Sequence, residues 1–308
     1  MHPRNIHRNG YDFNALCTAE PALTKWVVRN PSGKATIDFA MPDAVKLLNS
    51  ALLKCYYRIS QWDLPEGYLC PPVPGRADYV HFIADLLAED HKGQTPKGSS
   101  ITGLDIGTGA NLIYPIVGSQ QYGWRFVGSE VDKTAFIAAK LIAQSNASLK
   151  PLVTVRKQSN TEHIFHDVIN AKDYFTFTLC NPPFHSSAKA AQQGSQRKNS
   201  NLQRHKQKRA LSGKMPTKPS SNDADVTLNF AGQNTELWCP GGEVKFIKRM
   251  VQESSDYKTQ VGWFTSLVSK KDSLRPIYKE LEKAAVADLK TIAMGQGSKV
   301  SRFVAWRF

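Results

Sequence analysis

Ser100-Ile101-Thr102-Gly103-Leu104-Asp105-Ile106-Gly107-Thr108-Gly109-Ala110-Asn111 is the stretch on which the fold reading turns. Its first half is apolar and β-branched enough to predict a strand, and Gly107 and Gly109 break that strand ahead of a helical stretch. Glycines let a backbone approach a ligand closely, and the loop after the first strand of an open α/β sheet is where nucleotides and related cofactors bind. The spacing Gly107-Thr108-Gly109-Ala110-Asn111 lacks the third glycine of GxGxxG, so the pyrophosphate turn of a dinucleotide site is not reproduced.

Outward from this loop, the chain alternates strand and helix in the βαβ rhythm of a doubly wound sheet. Trp124 to Glu130 predicts a second strand, and Asp132 is placed to cap the helix that carries Phe136, Ile137, Lys140 and Leu141. Leu152 to Val155 predicts a third strand and Tyr174 to Cys180 a fourth. Glu130, at a strand end, stands where an acidic side chain accepts hydrogen bonds from a ribose. With no pyrophosphate turn, that combination fits an adenosyl cofactor, S-adenosylmethionine. The cofactor set is therefore Asp105, Gly107, Thr108, Gly109, Asn111 and Glu130.

The fourth strand runs into Asn181-Pro182-Pro183-Phe184, where two prolines forbid continuation. An amide locked there by prolines and followed by an aromatic suits a planar substrate bearing an amine. An exocyclic amine such as that of adenine is a poor nucleophile because its lone pair is delocalised into the ring. Hydrogen bonds from its two N–H groups to the Asn181 oxygen and the Pro182 carbonyl would hold the nitrogen nearer tetrahedral geometry, and alignment would supply the rest of the rate. Phe184 would stack on the flipped base. No metal is required, and His185 is expected beside the site rather than as a base.

Upstream, Pro42 and Asp43 open a helix carrying Leu47, Leu48, Ala51 and Leu52. Cys70 to Asp78 is a Pro-rich loop expected to lead into a helix with Val80, Ile83, Leu86 and Leu87 on one face. Arg76, at or just before that helix start, opposes the helix dipole, which favours an anionic ligand beside it. The N-terminal arm, with His2, Arg4, His7, Arg8, Tyr11 and Phe13, reads equally as a phosphate-gripping element or as a disordered tail. Downstream, Gly241 to Val251, Gln260 to Leu267, Leu274 to Ala285, 287–292 and 300–308 predict helix, strand, helix and a closing hairpin.

Forty Lys and Arg against 26 Asp and Glu give a net charge of +14, which favours a polyanionic partner, nucleic acid first. Much of the surplus lies in a low-hydrophobicity insertion at about 188–235, which includes Arg204, Lys206, Lys208 and Arg209. Five cysteines form neither a CxxC pair nor a His cluster, so reduced thiols are expected rather than a disulfide framework or a zinc site. No apolar run of membrane-spanning length or secretory h-region is present, which makes the cytoplasm the default.

Asp105-Ile106-Gly107-Thr108-Gly109 together with Asn181-Pro182-Pro183-Phe184 resembles the amino-group methyltransferases of the Rossmann-like seven-stranded class I, which depend on S-adenosylmethionine. More closely, the chain resembles the bacterial large-subunit (23S) ribosomal RNA adenine-N6 methyltransferase F family, related to a eukaryotic methyltransferase-like enzyme that acts on a small nuclear RNA. The shared features are Arg4-Asn5, Pro72-Val73-Pro74 with Arg76, Cys180 to Phe184, Gly241-Gly242-Glu243, and Gln296-Gly297 with Arg302, Phe303, Trp306 and Phe308.

The resemblance covers nearly the whole chain. It implies an N-terminal RNA-binding extension with helices over 1–95 and a methyltransferase domain over 96–308. It further implies 23S ribosomal RNA or a pre-50S particle as partner, Arg76 at the cofactor's carboxylate, and Gly107 and Gly109 along its backbone. Arg4, Arg8, Arg302 and the basic insertion are the RNA-contact candidates. Two alternatives stay open: a protein glutamine methyltransferase, which uses a similar tetrad usually ending in Tyr, and a non-catalytic ribosome-assembly protein on the same fold.

Overall fold

The computed structural model describes residues 1–185, 187, 238–296 and 299–308. In chain order the elements are α1 (Phe13–Ala19), β1 (Val27–Arg29), β2 (Ala35–Ile37), α2 (Pro42–Tyr57), α3 (Val73–Asp90), β3 (Thr102–Ile106), α4 (Ile113–Tyr122), β4 (Arg125–Glu130), α5 (Lys133–Ser145), β5 (Val153–Lys157) and β6 (Phe175–Cys180). They are followed by α6 (Gly242–Ser254), β7 (Val261–Val268), α7 (Leu274–Lys283), β8 (Asp288–Gln296) and β9 (Lys299–Arg307). Seven strands form one sheet in the order β5-β4-β3-β6-β7-β9-β8. The first five of these are parallel, and β9 runs antiparallel to both of its neighbours. The chain starts this sheet in the middle, builds outward through β4 and β5, then returns to lay β6 on the other side of β3. That reversal puts the ligand crevice of an open sheet at the carboxyl ends of β3 and β6.

Alternation along the strands sorts side chains to two faces. Phe126, Phe177, Trp263, Phe303 and Ala305 belong to one buried cluster with residues of α2 to α5. Leu104, Val127, Phe264, Val304 and Trp306 belong to a second, with Ile247, Met250 and Val251 of α6 and Ile277 and Leu281 of α7. Close aromatic packing accounts for two glycines: a Cβ at Gly103 would stand 2.6 Å from the Phe177 ring, and one at Gly118 2.4 Å from Phe126.

The N-terminal arm is built into the structure, so the disordered-tail alternative fails. His2, Asn5 and His7 are buried. The His2 N–H donates to Asp78 Oδ1 at 3.0 Å, and Asn5 Nδ2 donates to the Pro74 carbonyl at 2.8 Å. His7 Nε2 meets the Tyr57 hydroxyl at 2.8 Å, and burial pushes the imidazole pKa down to about 4. These bonds satisfy polar groups at the start of α3, which begins at Val73, earlier than its sequence pattern suggests. Arg76 therefore lies inside the first turn, its N–H donating to the Pro72 carbonyl.

A second clamp fixes the segment after α2. Asn146 Oδ1 accepts from the Ser60 and Gln61 N–H groups at 2.8 and 3.0 Å, while its Nδ2 donates to the Gln61 and Ile142 carbonyls. Asn146 is 1% exposed, so Asn146→Ala leaves buried backbone groups unpaired and is expected to cost about 3 kcal/mol in a urea denaturation measurement. Among the described residues no helix is long and apolar enough to cross a membrane.

Candidate functional site

A cavity of about 610 Å³ opens at the carboxyl ends of β3, β4 and β6. Of the residues singled out from sequence, it brings together Arg76, Gly107, Thr108, Gly109, Asn111, Glu130, Asn181 and Pro183. Asp105, Pro182 and Phe184 are not on its wall. Asp105 is fully buried beneath the loop, Pro182 is buried, and Phe184 is half-buried.

The loop from β3 to α4 is wound by left-handed residues at Gly107 (φ 66°), Gly109 (φ 64°) and Leu112 (φ 54°). A Cβ built on Gly107 meets nothing within 4 Å, so the backbone there faces open space that a ligand can enter. Leu112 has no glycine's freedom, and its conformation is held by its surroundings. One such constraint is Asn111, whose Oδ1 accepts the Ile113 N–H at 3.1 Å and whose carbonyl accepts the Trp62 indole N–H.

Glu130 ties the loop to the next strand. Its Oε2 accepts the Gly109 N–H at 2.8 Å and its Oε1 the Asp132 N–H at 2.9 Å. Each carboxylate oxygen retains a lone pair for a second donor. Burial raises the Glu130 pKa, and backbone N–H donors oppose that rise. Thr108 turns inward, its hydroxyl donating to Asp105 Oδ2 at 2.7 Å, while Asp105 Oδ1 is buried with no partner among the described residues.

Burial pushes the Asp105 pKa up to about 8, helped by the neighbouring Glu130 and opposed by the Thr108 hydroxyl and by Arg76. The folded protein thus keeps a proton that the unfolded chain loses near pH 4. Stability is expected to fall as pH rises from about 4 to about 8, because the unfolded state binds fewer protons across that window. Asp105→Asn should flatten that slope, read from urea midpoints at pH 5, 6, 7 and 8.

Arg76 donates from Nη1 to the Tyr114 hydroxyl at 2.9 Å and lies over that ring. Among the described residues no carboxylate stands within ion-pair distance of it, so its charge faces the cavity uncompensated. Asn181 follows β6 directly, and its Oδ1 is buried without a hydrogen-bond partner among the described residues. An unsatisfied buried acceptor is costly, so one at a cavity wall is an observation about what the cavity receives.

Three of the RNA-contact candidates lie away from this wall. Arg4 bonds Asp85, Tyr122 and the His81 carbonyl. Arg8 bonds the Pro3 carbonyl from an exposed position, and Arg302 sits in β9 opposite Ala293 and Val268. Arg204, Lys206, Lys208 and Arg209 lie outside the described residues, as does the whole of the insertion that carries them. Among the described residues no group of three or more His, Cys, Asp or Glu is arranged to hold a metal ion.

Sequence reasoning missed one side of the cavity. Trp238, Pro240, Lys245, Phe246, Lys248 and Arg249 all line it. They come from α6 and the segment before it. The 160s loop faces them through Thr161 to Ile164, with Glu253 of α6 accepting the Ile164 and Phe165 N–H groups. Gln158 lines the cavity with its amide bonded to the Asn160 N–H and the His166 carbonyl.

Comparison with known proteins adds independent observations. The model of a family described as RNA methyltransferase matches residues 1–308. The chain is 53% identical over 311 residues to the ribosomal RNA large subunit methyltransferase F of Pseudoalteromonas atlantica, covering 100% of this chain and 92% of that protein. The protein of the same name from Psychromonas ingrahamii is 50% identical over 308 residues, covering 100% and 94%. Among solved structures, the hMettl16 catalytic domain in complex with the MAT2A 3'UTR hairpin 1 superposes with a TM-score of 0.77 at 28% identity, covering 100% of this chain and 95% of that one. The N-terminal domain of human METTL16 in complex with SAH gives 0.73 at 27% identity, covering 100% and 98%.

Proposed function

The chain belongs to the RNA methyltransferase family, and from that premise we propose that it transfers a methyl group from S-adenosylmethionine to the exocyclic N6 of one adenine in large-subunit (23S) ribosomal RNA. The observation that carries this reading is the buried Asn181 Oδ1 at the cavity wall, an acceptor without a partner among the described residues and placed to receive an N–H donor. The protein-amide alternative loses its footing once the family is one that modifies RNA, and the non-catalytic alternative has no account of that buried acceptor.

The residues fit the cofactor. Gly107 leaves room where any side chain would project, Glu130 has lone pairs for ribose hydroxyls beside the Gly109 N–H, and Arg76 offers an uncompensated cation for a carboxylate. When bound, S-adenosylmethionine supplies an electrophilic methyl group on a sulfonium. Asn181 Oδ1 and the Pro182 carbonyl accept the two N–H hydrogens of the adenine amine, which localises its lone pair. Pro182 and Pro183 keep those acceptors from rotating away. Phe184 stacks on the extruded base and replaces the neighbours it lost in the RNA. Proximity and alignment supply most of the acceleration, with no strong base needed, because the proton leaves after transfer.

The RNA is presented either free or within a precursor of the large subunit, and the net charge of +14 serves attraction to either. Purified protein incubated with labelled S-adenosylmethionine should label 23S ribosomal RNA, and digestion should release the label as N6-methyladenosine. Label in protein glutamine, or in no RNA at all, would contradict the assignment.

A further inference from the structure

Asn181 Oδ1 is not the only unmatched polar atom on the cavity wall. The Trp238 indole Nε1 is withdrawn from solvent and has no hydrogen-bond partner among the described residues, although its ring is only half-buried. Both residues line the same cavity. They are brought together by chain pairing: Trp238 bridges His185 in parallel, and the Cys239 N–H donates to the His185 carbonyl at 3.1 Å. The Trp238 segment is thus fastened to the backbone that leaves the Asn-Pro-Pro-Phe tetrad. Of the groups fitted to the cofactor, Gly107 and Glu130 stand at the ends of β3 and β4 and Arg76 in the first turn of α3, so β6 and the segment beside it form the acceptor side of the crevice.

A buried N–H donor and a buried C=O acceptor on the wall of one cavity, both without partners among the described residues, define the edge of the base that satisfies them. Adenine presents an amino donor at C6 flanked by ring acceptors at N1 and N7. Guanine presents a carbonyl at C6 and an N–H at N1, which would set acceptor against acceptor and, at N1, donor against donor. We propose that the Trp238 indole N–H donates to N1 of the adenine, beside its amine, so that Trp238 and Asn181 together read an amino-purine and reject an oxo-purine. This rests on the adenine reading of the site. It adds to that reading a residue that selects the base, because a site built to pair polar groups rejects a ligand that leaves them unpaired.

The test uses an RNA fragment spanning the adenine that the wild-type protein methylates, synthesised with adenine, 7-deazaadenine or 1-deazaadenine at that position. Trp238→Phe keeps an aromatic ring and removes only the donor. 1-Deazaadenine should lower wild-type kcat/KM about tenfold while 7-deazaadenine leaves it near that of adenine, and Trp238→Phe should lower it by a similar factor on adenine RNA. The variant should then show no further loss on 1-deazaadenine, with S-adenosylmethionine affinity unchanged by calorimetry. Full activity of Trp238→Phe on adenine RNA, or equal sensitivity of both proteins to the deaza series, overturns the proposal. Should Trp238→Phe fold poorly, a wild-type protein indifferent to 1-deazaadenine overturns it by itself. Absence of any methylation of adenine RNA by the wild type would refute the underlying function and is distinguishable from either result.

Discussion

Asn181→Ala is expected to lower kcat for methyl transfer by about 10²–10³-fold, comparable to deleting one preorganised hydrogen-bonding group from an active site. The Kd for S-adenosylmethionine should hold within about threefold, because no part of the cradle built on Gly107, Gly109 and Glu130 bonds to Asn181 among the described residues. Stability should not fall and can rise by about 1 kcal/mol, since the substitution removes a buried acceptor that has no partner among the described residues. A residue kept for packing would show the opposite pattern, losing stability and leaving turnover on the folded fraction intact. Single-turnover rates, calorimetry and urea midpoints on one preparation separate the two.

Gly107→Val should act on the other substrate. At φ 66° a β-branched residue is strained by about 1–2 kcal/mol, a cost borne with or without ligand. The added side chain also enters space that no described residue occupies, and there it competes with the cofactor. A loss of about 2–3 kcal/mol of binding, roughly 100-fold in Kd, is expected for S-adenosylmethionine, with RNA affinity in the absence of cofactor unchanged. Gly107→Ala should fall between Val and wild type, and an Ala variant that binds the cofactor as tightly as the wild type would remove the cradle from the account.

Much of the architecture is legible along the chain because strands announce themselves by alternation. The pairs Trp263/Phe264 and Ala305/Trp306 divide between the two faces of the sheet as period two requires. The breaks are as informative. Helix α3 starts before Arg76 with Pro74 in its first turn, and Asn5 and His2, some seventy residues away, fasten that turn through the Pro74 carbonyl and Asp78, contacts that leave no local signal. The same contacts turn the arm's basic look into burial: His7, with its pKa lowered to about 4, is a neutral packing residue at physiological pH.

For α5, Ile137 and Leu141 are 53% and 62% exposed, while the inward face uses Ala135, Ala139, Ile142 and Ala143. Small residues let that helix approach the sheet, so its larger side chains are a poor guide to which side is buried.

At the site, the cradle and the tetrad were readable because each is a local break in a strand. The opposing side was not. Trp238 and Lys245 follow the tetrad only after a long basic insertion, and they reach the cavity through the pairing of Trp238 with His185, a tertiary contact that no spacing rule anticipates. Arg76 was readable for its unfavourable place near a helix start, and the absence of an ion-pair partner among the described residues supplies the physical reason for keeping a cation there.

The central claim is the methylation of one adenine by way of Asn181. Its most direct test is mass-spectrometric mapping of N6-methyladenosine in 23S ribosomal RNA from cells lacking the protein, complemented with either the wild-type chain or Asn181→Ala. The account predicts loss of methylation at a single adenine, restored by the wild type and not by Asn181→Ala at equal protein level. Unchanged methylation in the deficient cells, or restoration by Asn181→Ala, would contradict it.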